Sequence, residues 1–351
     1  MKFTYGQKYR FEIFGASHAP EIGVTIDGLP AGFAIDLDTL AAFLKRRAPG
    51  QNAWSTPRKE ADLPEFRTGL TDGNVTTGEP LTAVIKNTNT RSSDYDELKY
   101  KPRPGHADYT AFVRYNGLLN MQGGGPFSGR MTAPYCIAGG IALQLLEKKG
   151  VRIMARVKSI GDITDDAPFT APVDQKAFPA VDDAAAEKMQ ALIQEAKAAG
   201  DSVGGTVELI AEHVPAGFGG PLFEGMEGRI AAALFAIPAV KGVEFGEGFN
   251  SARLKGSENN DPFVVKDGRI KTATNHAGGI LGGITDGMPI TLRVAFKPTP
   301  SIAQPQKTVN LETMEETELQ IKGRHDPCIV PRAVPVVEAA VAAAIYDALL
   351  D

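Results

Sequence analysis

Hydrophobic positions along this chain repeat with two different periods. Over Ile22–Asp27, Val24 and Ile26 share a face, a period of two that predicts a strand. Leu81–Lys86, Val151–Val157, Thr206–Ala211 and Pro289–Phe296 are further strand candidates. Over Asp38–Arg47 the period becomes helical, with Leu40, Phe43 and Leu44 on one side. Thr132–Lys149 repeats this with Tyr135, Ala138, Ala142 and Leu145. Pro134 is tolerable there in the first turn, with Thr132 as the cap. Asp182–Ala199 reads as a polar amphipathic helix ending at Gly200. Phe223–Ile237 and Val334–Leu350 complete the helices, and Thr164–Val181, rich in Asp, Pro and Ala, reads as a surface excursion.

The pattern echoes itself once. "VTIDGLPAGFAID" leads into the first helix, and "VELIAEHVPAGFGG" leads into the helix near Phe223. Either the two PAGF tetrads, Pro30–Phe33 and Pro215–Phe218, coincide by chance, or the chain folds as two related halves. Strands followed by long helices predict sheets packed on helices in one compact body spanning residues 1–351.

Composition narrows the function. A chain of 351 residues, 43% hydrophobic and 23% charged, can bury a large core. Its net charge of -5 argues against general nucleic-acid binding, so an anionic ligand must be caught by a local cluster of Arg and Lys. Two cysteines, Cys136 and Cys328, with no CxxC spacing, suit a reducing compartment and offer no disulfide framework. The opening MKFTYGQKYRFEIFG lacks the apolar core of a signal peptide. Ala333–Leu350 is interrupted by Glu338 and Asp347, which suits a buried helix better than a membrane span. A cytoplasmic, soluble protein that engages neither membrane nor nucleic acid is expected.

Glycine meets His, Arg or Lys in five places: "GASHAPEIG" with Ser17 and His18, "RPGHADYT" with His106, "GGGPFSGR" with Arg130, "KGRHDPC" with Arg324 and Asp326, and "NHAGGILGG" followed by "KPTPS". The third lacks the Gly-Lys-Ser/Thr ending of a nucleoside-triphosphate loop, and no His, Cys and carboxylate set has metal-ligand spacing. Ser17 and His18 are sequence neighbours, whose side chains usually point apart, which argues against a nucleophile–base pair. What remains is backbone N–H and Arg for phosphate and carboxylate oxygens, with histidine to hold or give a proton beside them. That composition suits proton-coupled chemistry on a small polyanion.

Taken in order, these stretches resemble the chorismate synthase family over some 330 residues. "GASHAPEIGVTIDGLP", "RPGHADYT", "GGGPFSGRMT", "VKGVEFGEGF", "NHAGGILGGITDG", "KPTPSI" and "GRHDPCIVPRAVPVVEAA" carry the likeness. The resemblance implies an α+β fold: a β-α-β sandwich with long central helices between two sheets, in pseudo-symmetric halves. It implies a lyase of the shikimate pathway that converts 5-enolpyruvylshikimate 3-phosphate into chorismate and phosphate with reduced FMN. A homotetramer and an external flavin reductase would accompany it; NADPH would matter only in bifunctional relatives, where Arg47 could touch it. By the same resemblance His18 faces the leaving phosphate, His106 protonates the reduced flavin, and Asp326 lies near the flavin as a proton relay. Ser17, Arg47, Arg130 and Arg324, with Arg46 beside them, fall where substrate anions bind. Flavin contacts fall on Phe127, Ser128, Ala239, Gly282, Lys297, Pro298, Thr299, Pro300, Ser301 and Arg324.

The chain departs from the family pattern at Ala16, for Glu, at Ala19-Pro20, for Gly, and at Ala53, for Arg. Pro126 and Phe127 replace Arg-Ser, Met131 replaces Glu, and Tyr135 replaces Arg. Two readings stay open at this point: a working enzyme, or a retasked or non-catalytic relative that assembles and binds flavin or another anion.

Overall fold

The computed structural model describes residues 3–50, 52, 54, 62–87, 100–321 and 326–351. The first sheet contains β1 (Thr4–Tyr5), β2 (Arg10–Gly15), β3 (Glu21–Asp27), β4 (Glu65–Thr68) and β5 (Leu81–Lys86), in spatial order β1-β2-β3-β5-β4. The second contains β6 (Arg152–Ile160), β7 (Ile163–Thr164), β8 (Gly205–Glu212) and β9 (Val240–Phe245). Two hairpins follow, β10 (Phe263–Lys266) with β11 (Arg269–Thr272) and β12 (Ile280–Leu281) with β13 (Ile284–Thr285). Then β14 (Ile290–Phe296) returns to the second sheet, whose order is β7-β6-β8-β14-β9. A last hairpin pairs β15 (Gln306–Asn310) with β16 (Glu315–Leu319).

The helices are α1 (Leu37–Arg47), α2 (Asp108–Arg114), α3 (Thr132–Lys148), α4 (Asp183–Ala198), α5 (Met226–Phe235), α6 (Gly256–Asn259) and α7 (Val330–Ala348). Strand β14 shows why sheets and helices stack. Ile290, Leu292, Val294 and Phe296 are buried, while Thr291, Arg293 and Ala295 between them are less so. Each sheet therefore turns one face onto helices. Helix α3 meets β2, β3 and β5, α7 meets β6 and β8, and the two helices pack on each other along the middle. Both are buried nearly all round, the pattern of helices enclosed by other layers. The expected α+β sandwich with central helices is what forms.

The echo is structural. β2-β3-β5-β4 and β6-β8-β14-β9 have the same antiparallel order. After β3, the Thr76 hydroxyl donates to Pro30 O at 2.5 Å and accepts from Phe33 N–H at 3.0 Å. After β8, the Thr285 hydroxyl does the same with Pro215 O at 2.6 Å and Phe218 N–H at 3.0 Å. Gly32 and Gly217 share a positive φ, 83° and 98°. Chance does not reproduce a turn bond for bond.

Some boundaries differ from expectation. Thr132 is the first helical residue rather than the cap, because its hydroxyl is spent on Gly129 O. Helix α7 begins four residues earlier than predicted, since Pro331 fits the first turn and the chain continues helically through Pro335. Helix α5 is shorter than predicted and follows a separate 3₁₀ turn at Leu222–Glu224. Strand β6 runs on to Ile160, still paired with β8 past an irregularity after Val157. Segment 164–181 is less superficial than its composition predicts: Phe169, Val173 and Phe178 are buried, and so is Asp165, which accepts the N–H groups of Ala167 and Val181.

The α3–α7 crossing depends on a missing side chain. A Cβ on Gly139 would lie 2.2 Å from Ala339 Cβ and 2.3 Å from Ala339 Cα. Gly139→Val is therefore expected to cost about 2–3 kcal/mol or to prevent folding, as overpacking does. Gly256→Ala, where a Cβ meets open space, serves as the control. Denaturant midpoints measure both; equal midpoints would contradict this account of the crossing.

Candidate active site

The chain leaves α1, α5 and β14 and enters α7 at one end of the helical layer. There a cleft of about 670 Å³ opens. One wall is Phe235–Val240, and another is the exit from β14 through Lys297, Thr299, Pro300 and Ser301. The ribbon Gly123–Arg130 crosses opposite them.

Three consecutive glycines shape that ribbon. Gly123, Gly124 and Gly125 take φ of 63°, 94° and 53°, the left-handed region that side chains disfavour. A Cβ on Gly123 would lie 2.1 Å from His18 Cε1 and 2.8 Å from Ser17 Oγ. A Cβ on Gly124 would lie 3.3 Å from His106 Nε2. Two histidines 88 positions apart (106 − 18) thus pack against successive residues of one bare stretch of backbone.

Each histidine has one nitrogen fixed. The buried Ser17 hydroxyl donates to Gln122 O at 3.0 Å, so toward His18 Nδ1, 3.2 Å away, it offers a lone pair. The two neighbouring side chains meet after all, but the hydroxyl proton is already placed and Ser17 orients His18 rather than attacking. Similarly, Asp108 Oδ1 accepts from His106 Nδ1 at 2.8 Å. Arg103 grips the same carboxylate through Nε at 2.7 Å and Nη2 at 2.8 Å, and its Nη1 reaches Ser301 Oγ at 3.3 Å. Both imidazoles are thus tethered through Nδ1. Burial works against the Asp108 carboxylate, yet Arg103 and His106 outweigh it and hold its pKa well below the usual range.

The floor is a buried ionic network. Asp62, with no exposed side-chain surface, accepts from Arg47 Nη1 at 2.5 Å and from Arg130 Nη1. Burial opposes its ionisation, and the two guanidiniums outweigh burial, so its pKa is lowered. Arg47 also donates to Thr132 Oγ1 and Gly129 O, both at 3.1 Å. Arg130 Nε donates to Asn87 Oδ1 at 3.0 Å. Asp326 pairs with Arg332 Nη1, and Arg332 Nε donates to Arg47 O at 3.0 Å.

Among the expected residues, Arg47, His106, Phe127, Ser128, Arg130, Ala239, Lys297, Thr299, Pro300, Ser301 and Asp326 line this one cleft. Ser17 and His18 adjoin it beneath Gly123. Arg46 does not: it makes a two-pronged pair with buried Glu338, at 2.7 and 3.0 Å, on another side of α1. Gly282 turns the β12–β13 hairpin, which bridges to Gly219, and is not part of the cleft wall. Pro298 is exposed beside the lining residues. Arg324 and Ala53 lie outside the described residues. Asp62, Asn87, Arg103, Asp108 and Arg332 were not anticipated. Asp108, two residues after His106, carried a local signal; Asp62 and Asn87 carried none.

Four of the departures from the family pattern have a visible place in the structure. The Tyr135 hydroxyl donates to Ala233 O at 3.2 Å and its ring packs on Phe11. Met131 is buried, Pro126 lines the cleft, and Ala16 gives its carbonyl to Asn87.

Two antiparallel sheets around paired helices, with an end cleft lined by buried arginines and a histidine, have the make-up of a small-molecule enzyme of the α+β class. Comparison with known proteins makes this specific. The family model described as Chorismate synthase matches residues 9–350. A chorismate synthase from Thermococcus gammatolerans is 50% identical, over 98% of this chain and 97% of its own length. One from Lancefieldella parvula is 47% identical, over 99% and 96%. A solved structure titled "Crystal Structure of Chorismate Synthase" superposes with a TM-score of 0.74 at 28% identity, covering 98% of this chain and 92% of that one. The chain belongs to the chorismate synthase family.

The depressed carboxyls set an acid limit. A lowered folded-state pKa contributes stability that is complete above the ordinary carboxylate range, near 4, and is lost as pH falls through the folded value. Asp108→Asn is expected to cost about 3–5 kcal/mol at pH 7, since it leaves Arg103 buried and underpaired. The gap from wild type should narrow as pH drops toward 3. Urea midpoints across that range measure it; a gap that stays constant with pH would contradict the assignment.

Proposed function

We propose that this chain is a working chorismate synthase: it removes phosphate from 5-enolpyruvylshikimate 3-phosphate in an anti 1,4-elimination that yields chorismate. The observation that carries this reading is the convergence of His106, Arg47 and Arg130 on one cleft, with His18 packed against Gly123 of its lining, in a member of that family.

Arg47 and Arg130 offer charge-assisted bonds to the substrate's phosphate and carboxylates in a buried setting where such bonds are strong. His18, held at Nδ1 by Ser17, would as an imidazolium donate from its other nitrogen toward the charge that develops on the departing phosphate oxygen. In the elimination the C–O bond to phosphate breaks, the ring C–H on the opposite face is lost, and the electron pair moves into the new diene. No net electrons are gained or lost. His106, held by Asp108, can give or hold a proton at Nε2. Asp326, held by Arg332, is a carboxylate in the same cleft that can pass the ring proton outward.

Reduced FMN suits the remaining space. Phe127, Ile237, Pro238 and Val336 supply apolar wall, Lys297 and Arg103 supply positive charge, and the buried Thr299 hydroxyl has no partner among the described residues. When bound, reduced flavin would supply transient electron density and a basic nitrogen. An external flavin reductase would regenerate it. Cytoplasmic placement and a homotetramer belong to the same reading. The cytoplasmic part is supported by two buried free thiols, both with pKa pushed up to about 12 by burial, and the homotetramer by family membership alone.

Anaerobic incubation with reduced FMN and 5-enolpyruvylshikimate 3-phosphate should release phosphate and chorismate one for one. Folded, flavin-loaded protein without turnover would contradict the proposal. His18→Ala and His106→Ala should each slow turnover by about 10²- to 10⁴-fold, the usual contribution of a positioned acid or base. A near-wild-type rate in either variant removes that residue from the mechanism.

A further inference from the structure

We infer that Asn87 is a positioning residue that locks the His18 loop to Arg130, so that the proton donor and the anion-binding guanidinium move as one unit. The inference rests on the function proposed above. Asn87 follows β5 directly and does not line the cleft. Its backbone N–H donates to Pro20 O at 3.0 Å. Its side-chain nitrogen donates to Ala19 O at 2.7 Å and to Ala16 O at 3.2 Å, the two carbonyls that bracket Ser17 and His18. Its side-chain oxygen accepts from Arg130 Nε at 3.0 Å.

The chemistry of the partners fixes this orientation. A guanidinium can only donate and a carbonyl can only accept, so the amide cannot be flipped without losing all three bonds. No other side chain of this size places a two-hydrogen donor and an acceptor on separate atoms. Aspartate would keep the arginine and face two carbonyls with no donor. Leucine or alanine would lose both sides. The Ala19 N–H already closes a tight turn onto Ala16 O at 3.0 Å, so Asn87 clamps a loop bent around the histidine. Loss of the clamp frees that loop on one side and Arg130 on the other. A shift of about 1 Å in such a group can cost on the order of 100-fold in rate.

The test compares wild type, Asn87→Ala, Asn87→Asp, His18→Ala and the Asn87→Asp/His18→Ala double variant. Hydrogen–deuterium exchange over residues 15–20 reads the clamp without turnover, and steady-state assays with reduced FMN read its consequence. Both Asn87 variants should speed exchange in that segment while the α3–α7 core keeps its protection. Asn87→Ala should lower kcat by about 10- to 100-fold and raise KM. Asn87→Asp retains Arg130's acceptor, so it should lose kcat similarly while KM stays within about threefold of wild type. In the His18→Ala background, Asn87→Asp should cost less than about threefold in kcat, because the group it positions is gone while Arg130 keeps its acceptor. Unchanged exchange in Asn87→Asp, or a full multiplicative loss in the double variant, would overturn the inference. If Asn87→Ala fails to fold, Asn87→Asp carries the test. A wild type that exchanges as described but never turns over condemns the proposed function and leaves the clamp intact.

Discussion

His18 and His106 can serve one site because the backbone between them has no side chains. Gly123 leaves no room for even a methyl group against His18, and a methyl group on Gly124 would press on His106. Three consecutive left-handed residues make that ribbon curve, and only glycine adopts such a run without strain. Ser17 is tied to the same ribbon twice, through its N–H to Gly125 O and its hydroxyl to Gln122 O. The ribbon is thus a mould: it sets where one histidine sits, abuts the other, and then hands Ser128, Gly129 and Arg130 to the floor of the cleft.

Burying cations is the second demand of the site. Arg47 and Arg130 sit on the floor almost without solvent, a position that requires close compensation. Asp62 supplies the charge, while Thr132, Gly129 and Asn87 supply neutral acceptors. Across the cleft, Arg103 and Asp108 repeat the arrangement around His106. The guanidiniums are oriented before any ligand arrives, so little ordering remains when an anion binds. The family's charged residues missing from positions 16, 126, 131 and 135 do not break this scheme, since apolar packing or backbone bonds fill those places.

Much of this could be read from residues alone, and the failures have causes. The PAGF echo marked the two halves, because a turn between a strand and a helix needs the same small residues wherever it recurs. It did not reveal Thr76 and Thr285, whose matching bonds close the two turns from dozens of residues away. Glycine beside histidine flagged both His18 and His106, because close backbone approach leaves a compositional trace. Arg46 was placed with the anion-binding residues only as the neighbour of Arg47. On a helix they point about 100° apart, so one enters the cleft and the other meets Glu338. Gly282, expected among the flavin contacts, lies in a hairpin that bridges to Gly219 after the second PAGF turn and does not line this cleft. Asp62 and Asn87 come from loops with no periodic pattern, and only the folded chain shows which cations they face.

The central claim is that the cleft under the glycine ribbon is where the substrate's anionic groups and the two histidines meet. A crystal structure of the complex with FMN and 5-enolpyruvylshikimate 3-phosphate tests it most directly. The account predicts phosphate within hydrogen-bond distance of His18, substrate oxygens on Arg47 and Arg130, and the flavin ring between the substrate and the Phe235–Val240 wall. Substrate bound outside this cleft, or phosphate held away from His18 with Arg47 and Arg130 still paired only to Asp62, would contradict it.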